Sequence, residues 1–148
     1  MVIAIIADDK KKELMAQFCI AYCGILSKHK ICATGITGKY VEEATGLTIE
    51  KLLSGTYGGA EQITSRIAYN EIDLVLFFRD TTAEMNESMA ETEIEDHLLR
   101  MCDVSNVPIA TNIATAEILV MALESGGLDW RKFVNPTSEY NQNKSKSM

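Results

Sequence analysis

Ala33-Thr34-Gly35-Ile36-Thr37-Gly38 ends a short apolar run, sets two hydroxyls between two glycines and leads straight into a helical pattern. A strand that turns into a helix through glycine brings backbone N–H groups and hydroxyls close to an anion, and proteins hold phosphate by this chemistry. A second small-residue turn follows at Ser54-Gly55, with Gly58-Gly59 just beyond it. Either turn alone is also what any tight connection from strand to helix requires. Two of them in one small domain point to an anion site.

Working outward, residues 2–7 are a continuous apolar run of the kind found in a strand buried on both faces. Leu14, Phe18, Tyr22, Ile25 and Leu26 recur at spacings of three and four, which predicts one amphipathic helix over 9–29 with Asp8 and Asp9 as N-cap candidates. A second strand is expected at 30–33. The helix after Gly38 should turn Val41 and Ala44 inward and stop at Gly46, and 48–53 reads as a third strand. A helix containing Ile63, Ile67 and Ala68 leads to 72–78, the clearest strand in the chain. An acidic segment, 80–96, precedes a helix with Ile94, Leu98, Met101 and Cys102 on one face. A last strand at 108–110 and a last helix at 114–123 follow, ended by Gly126-Gly127.

This alternation specifies an α/β fold: a single-domain, doubly wound, open parallel sheet with helices on both faces, over residues 1–134. Residues 135–148 read as a polar, loose C-terminal tail. Ligands of such sheets collect at the carboxyl ends of the strands, and the candidate groups lie there. Asp8, Asp9 and Lys12 follow the first strand, residues 34–38 the second, residues 54–59 the third, and Arg79 and Asp80 the fourth.

A chain of 148 residues that is 47% hydrophobic is enough for one ordinary core. The net charge of −7 excludes a nucleic-acid surface or an anionic membrane as partner, because both need a basic face. No apolar run reaches the length of a membrane span or a signal-peptide core, so a cytoplasmic location is expected. Cys19, Cys23, Cys32 and Cys102 show neither Cys-x-x-Cys spacing nor histidines at zinc-finger spacing. They read as buried thiols of a reducing compartment, and no metal is expected. Lys10, Lys11 and Lys12 crowd a helix first turn, where the dipole disfavours cations; Lys12 is the one expected to reach back to an anion. Glu84, Glu87, Glu91, Glu93, Glu95 and Asp96 read as a solvated loop and helix start, and His97 as a surface helix histidine.

Ile-Ala-Asp-Asp-Lys-Lys-Lys (6–12), Ala-Thr-Gly-Ile-Thr-Gly (33–38), Glu-Ala-Thr-Gly (43–46), Leu-Ser-Gly-x-x-Gly-Gly (53–59), Phe-Phe-Arg-Asp (77–80) and Pro-Ile-Ala-Thr-Asn (108–112) together closely resemble the methylglyoxal synthase family. The resemblance runs from residue 2 to about 126, in matching order. It implies a homohexameric cytoplasmic lyase that takes a proton from dihydroxyacetone phosphate, forms an enediolate phosphate and eliminates inorganic phosphate to leave methylglyoxal, without metal or organic cofactor. Carried over residue by residue, it implies a substrate-binding set of Asp8, Lys12, Thr34, Gly35, Ile36, Thr37, Ser54 and Gly55. Asp9 and Asp80 match acidic positions of the family's site. Asp8 and Ile36 stand where the family carries a histidine and a threonine.

Ala60 occupies the position at which the resemblance places the catalytic aspartate, and a methyl group abstracts no proton. The carboxylates then available for proton transfer are Asp80, Asp9 and Glu61, the last one residue beyond Ala60 and rotated from it by about 100° on a helix. The histidine that the family carries after its Phe-Phe-Arg-Asp strand has no counterpart, and 81–93 is a rebuilt segment that only a related lyase acting on another substrate would use as a new lid. Two functions follow. The leading one is a methylglyoxal synthase that uses an alternative acid. The other is a non-catalytic relative that binds phosphate or a phosphorylated metabolite as a sensor.

Overall fold

The computed structural model describes residues 1–55, 58–80, 82 and 89–146. Most of the rebuilt 81–93 segment, including Glu84 and Glu87, lies outside the described residues. Within them, five strands pair in the order β3-β2-β1-β4-β5: β1 (Val2–Ala7), β2 (Lys30–Thr34), β3 (Ile49–Leu52), β4 (Leu74–Phe78) and β5 (Ile109–Ala110). Every pairing is parallel, with Ile3 beside Ile31 on one side and Leu74 on the other. The two most apolar strands, β1 and β4, lie at the centre because each is buried on both faces.

Alternation along these strands divides the core. Ile3, Ile5, Leu74, Leu76 and Phe78 face Met15, Phe18, Val41 and Val120, carried by α1 (Lys12–Ala21), α3 (Gly35–Thr45) and α6 (Ile113–Ser125). Ala4, Ile6, Val75 and Phe77 face Ile63, Ile67, Leu98 and Cys102 on α4 (Gly59–Ala68) and α5 (Met89–Ser105). Full burial of an Ile or Leu is worth roughly 1.5–3 kcal/mol, more than the ~1 kcal/mol span of strand propensities, so Ala4 and Ala7 are carried in β1 at little cost. The doubly wound parallel sheet is therefore as the alternation predicted.

Local boundaries differ, and the differences have causes. The single helix expected over 9–29 is three pieces: a 3-10 turn (Asp9–Lys11), α1, and α2 (Cys23–Leu26) after a break at Tyr22. The Tyr22 ring packs on Phe18 with centroids 4.8 Å apart, and Gly24 just beyond is a poor helix former. Helix α3 begins at Gly35, so the Thr-Gly-Ile-Thr-Gly stretch is its first turn and not a loop ahead of it; Gly46, at φ 75°, ends it. Ala44, expected inward, is exposed. The expected loose tail is also corrected, because Glu139–Lys146 forms a helix (α8) after a short α7 (Arg131–Val134), held by Asn141 Nδ2 to Asn135 O at 2.7 Å. Among the described residues no helix is long and apolar enough to cross a membrane.

Candidate active site

Strand order reverses between β1 and β4, since β2 and β3 extend the sheet from one side of β1 and β4 and β5 from the other. The chain exits of β1 and β4 diverge at such a point and leave a crevice. A cleft of about 460 Å³ opens there. It is lined by Asp8, Asp9, Lys10 and Lys12 after β1, Thr34, Ile36 and Thr37 after β2, Ser54, Gly55 and Ala60 after β3, and Asp80 after β4. Ten of the twelve singled-out positions, Ala60 included, thus meet in one place.

The phosphate-grip candidates cluster around one backbone oxygen. Lys12 Nζ donates to Ala7 O at 3.1 Å and pairs with Asp9 Oδ1 at 2.7 Å, while Thr37 Oγ1 donates to the same Ala7 O at 3.4 Å. Thr34 Oγ1 donates to Thr37 Oγ1 at 3.3 Å, and both threonines are buried. Thr34 sits at the N-cap of α3 without making a side-chain cap bond, so the helix start presents its positive end to the cleft. Ser54 Oγ is buried with no protein partner. Buried hydroxyls are normally satisfied, so this one marks a place for an acceptor.

Gly35 does not line the cleft, although it is needed beside it. Its N–H donates to Leu53 O at 3.2 Å, tying the exits of β2 and β3 together, and a Cβ there would stand 2.9 Å from Leu52 O. Glu61 is not in the cleft either. Its carboxylate folds back toward Gly58 and lines a second cleft with Thr64, Glu93 and His97, because consecutive helix residues diverge by about 100°.

Asp8 lines the cleft but departs from its expected role as a helix cap. It makes no side-chain cap bond to the 3-10 turn; its Oδ2 instead accepts the backbone N–H of Asp80 at 2.7 Å, bridging the exits of β1 and β4. Asp80 Oδ1 accepts the Thr82 N–H at 3.0 Å and the Thr82 hydroxyl at 2.6 Å. These bonds, with help from Lys10 and Lys11, hold its carboxyl below the ordinary range.

The far wall is one that sequence reasoning set aside. Glu91, Ile94 and Glu95, on the first turns of α5, line the cleft, and Glu95 pairs with Arg79 at 3.2 Å. The signal was present: positions 91, 94, 95 and 98 share one helix face, and Leu98 on it is core. Lys10 lines the cleft as well.

Residues 15–111 match the family model described as MGS-like domain. The chain is 55% identical over 143 residues to a methylglyoxal synthase of Caldicellulosiruptor saccharolyticus, covering 96% of this chain and 98% of that protein. It is 51% identical over 132 residues to a methylglyoxal synthase of Listeria welshimeri, covering 88% and 95%. The crystal structure of methylglyoxal synthase from Elizabethkingia anophelis superposes with a TM-score of 0.71 at 35% identity, over 80% of this chain and 76% of that one.

Proposed function

The chain belongs to the methylglyoxal synthase family through its MGS-like domain, and from that premise we propose that it converts dihydroxyacetone phosphate to methylglyoxal and inorganic phosphate. The observation that carries this reading is the buried, unpartnered Ser54 hydroxyl in the same cleft as Lys12 and the start of α3. Lys12 supplies the point charge; Thr34, Thr37, Ser54 and Gly55 supply donors. With phosphate held on that side, the carbon skeleton extends toward Asp80 and the α5 wall.

A carboxylate there takes a proton from the hydroxymethyl carbon beside the carbonyl, leaving an enediolate. As the enediolate's hydroxyl gives up its proton to become an aldehyde, the double bond shifts and the carbon–oxygen bond to phosphate breaks, its electron pair leaving with phosphate. The enol of methylglyoxal then gains a proton on its terminal carbon. Atoms and electrons balance without oxidant or reductant, so this lyase chemistry calls for no cofactor. Asp9, paired to Lys12, and Asp80, bonded to Thr82, shape the charge around the substrate.

The same proposal includes a homohexamer in the cytoplasm, and the exposed apolar side chains Ile113, Ile118 and Met121 of α6 support an assembled form. A second reading, a non-catalytic phosphometabolite binder, is favoured by Ala60, whose methyl lines the cleft at the position the resemblance gives to an aspartate. Methylglyoxal formation from dihydroxyacetone phosphate, measured beside Lys12→Ala and Ala60→Asp, separates the two. Activity in the parent chain that is lost in Lys12→Ala supports the enzyme; silence in the parent with activity gained in Ala60→Asp supports the binder.

A further inference from the structure

We propose that Ile36 makes this cleft select an organic phosphate monoester over free inorganic phosphate, an inference that rests on reading the cleft as a phosphate site. The exits of β2 and β3 contribute Thr34, Ile36, Thr37, Ser54 and Gly55 to its lining. The groups around Ile36 are polar. They are the Thr34 and Thr37 hydroxyls on its own turn, the unpartnered Ser54 hydroxyl, and the first N–H groups of α3, which have no partner within the helix. Ile36 is the one hydrocarbon side chain among these five residues.

Packing does not account for it. Ile6 and Phe77 also line the cleft, but they are 6% and 3% exposed and belong to the core, whereas Ile36 is 51% exposed and belongs to neither half of the core. Helix propensity does not favour it either, since a β-branched side chain loses rotamer freedom in a helix. What the side chain of Ile36 does border is the cleft, where a ligand would cover it.

A phosphate monoester and inorganic phosphate differ at one of four oxygens. The other three take hydrogen bonds in both. In the ester the fourth is bridged to carbon, bears no proton and leads to a methylene; in inorganic phosphate it is a hydroxyl that needs water or a polar partner. A hydrocarbon side chain beside the anion offers no such partner and keeps water away, so inorganic phosphate forgoes a hydrogen bond there. The same side chain meets the methylene of an ester, and apolar surface on both sides leaves water. The reaction proposed above starts from such an ester and releases inorganic phosphate, so this preference also limits occupation of the site by its own product.

Calorimetry with two probes tests this: inorganic phosphate, and glycerol phosphate, a monoester without the carbonyl that the reaction needs. The parent chain is compared with Ile36→Val, Ile36→Ala and Ile36→Thr. Folding is checked by circular dichroism, and methylglyoxal formation from dihydroxyacetone phosphate is assayed in parallel. The parent should bind the monoester more tightly than inorganic phosphate. Ile36→Val keeps a hydrocarbon of similar shape and should hold the ratio of the two affinities within about twofold. Ile36→Ala should weaken monoester binding by about threefold and leave inorganic phosphate near the parental affinity. Ile36→Thr, which adds a hydroxyl without changing the branching, should tighten inorganic phosphate by about three- to tenfold and lower the ratio most. An unchanged ratio in Ile36→Ala and Ile36→Thr overturns the assignment, and so does equal weakening of both probes, which would mark a structural role. A parent chain that binds neither probe overturns the phosphate-site reading and the inference with it. An Ile36-dependent preference in a chain that forms no methylglyoxal overturns the enzyme reading alone and leaves Ile36 in its role.

Discussion

Asp8 Oδ2 accepts the backbone N–H of Asp80 at 2.7 Å, joining the exits of the two central strands through one carboxylate. Asp8 N–H in turn donates to Phe78 O at 3.0 Å, so the two exits are tied in both directions. Asp8→Asn keeps an acceptor in the same place and should leave stability within about 1 kcal/mol, whereas Asp8→Ala leaves a buried N–H without its partner and should cost about 1–3 kcal/mol. Urea denaturation of the two variants is the comparison; equal losses would show that the bridge does not matter.

The bonds from Thr82 to Asp80 predict an acid limb in the stability curve. Because the folded state holds Asp80 below its ordinary value of 3.8, it binds fewer protons there than the unfolded chain does. The associated stability is fully present above that value and is lost as pH falls below it, through the lower folded value. Thr82→Val removes the hydroxyl bond and should flatten the decline in melting temperature as pH falls below 3.8. An unchanged acid limb would assign the decline to other carboxylates.

Arg131 is fully buried at the opposite end of the sheet. Its Nε pairs with Asp73 Oδ1 at 3.0 Å and its Nη2 donates to Ile72 O at 2.9 Å, while Asp73 Oδ2 also accepts from Val2 N and Asn135 Nδ2. Removing one partner of a buried pair strands the other's charge, so Arg131→Met should cost about 3–5 kcal/mol. Exposed pairs such as Lys28–Glu124 should contribute about 0–1 kcal/mol. Chemical denaturation of Arg131→Met and Glu124→Gln tests the ranking; similar losses would contradict it.

Gly59 is the tightest glycine in the chain. A Cβ there would collide with the backbone oxygen of Leu53, at the point where the β3 exit folds against the start of α4. Gly59→Ala should displace the 53–55 segment and reduce binding of inorganic phosphate, measured by calorimetry, whereas Gly24→Ala, with open space around it, should bind as the parent does. Parental phosphate affinity in Gly59→Ala would separate this turn from the anion site.

Three of the four thiols should be inert in the native protein. Burial pushes Cys19 and Cys102 up to about 12 and Cys32 up to about 11, so little thiolate exists at neutral pH, and only Cys23 is partly exposed. Iodoacetamide at pH 8 followed by peptide mass mapping should modify Cys23 first, with all four labelled in denaturant. Rapid native labelling of Cys102 would indicate that α5 opens away from the sheet.

Much of this molecule was legible in its residues. Apolar runs, helical spacing and glycine turns are local properties, so strand and helix order, the parallel doubly wound sheet and the meeting of four loops at one sheet edge could be read from residues 2–126. Which side chains face one another depends on elements brought together from distant parts of the chain. Asp8 was read as a cap or a ligand contact, and only the pairing of β1 with β4 sets it against the Asp80 N–H. Glu61, adjacent to Ala60 in sequence, is turned out of the cleft by the helical rotation between neighbours, while Glu91, thirty-one positions from Ala60, lines the cleft with it because α5 packs beside α4. Short-range sterics and hydrophobic periodicity determine the elements and their order; the contacts that make a site arise from long-range packing, which a one-dimensional pattern does not contain.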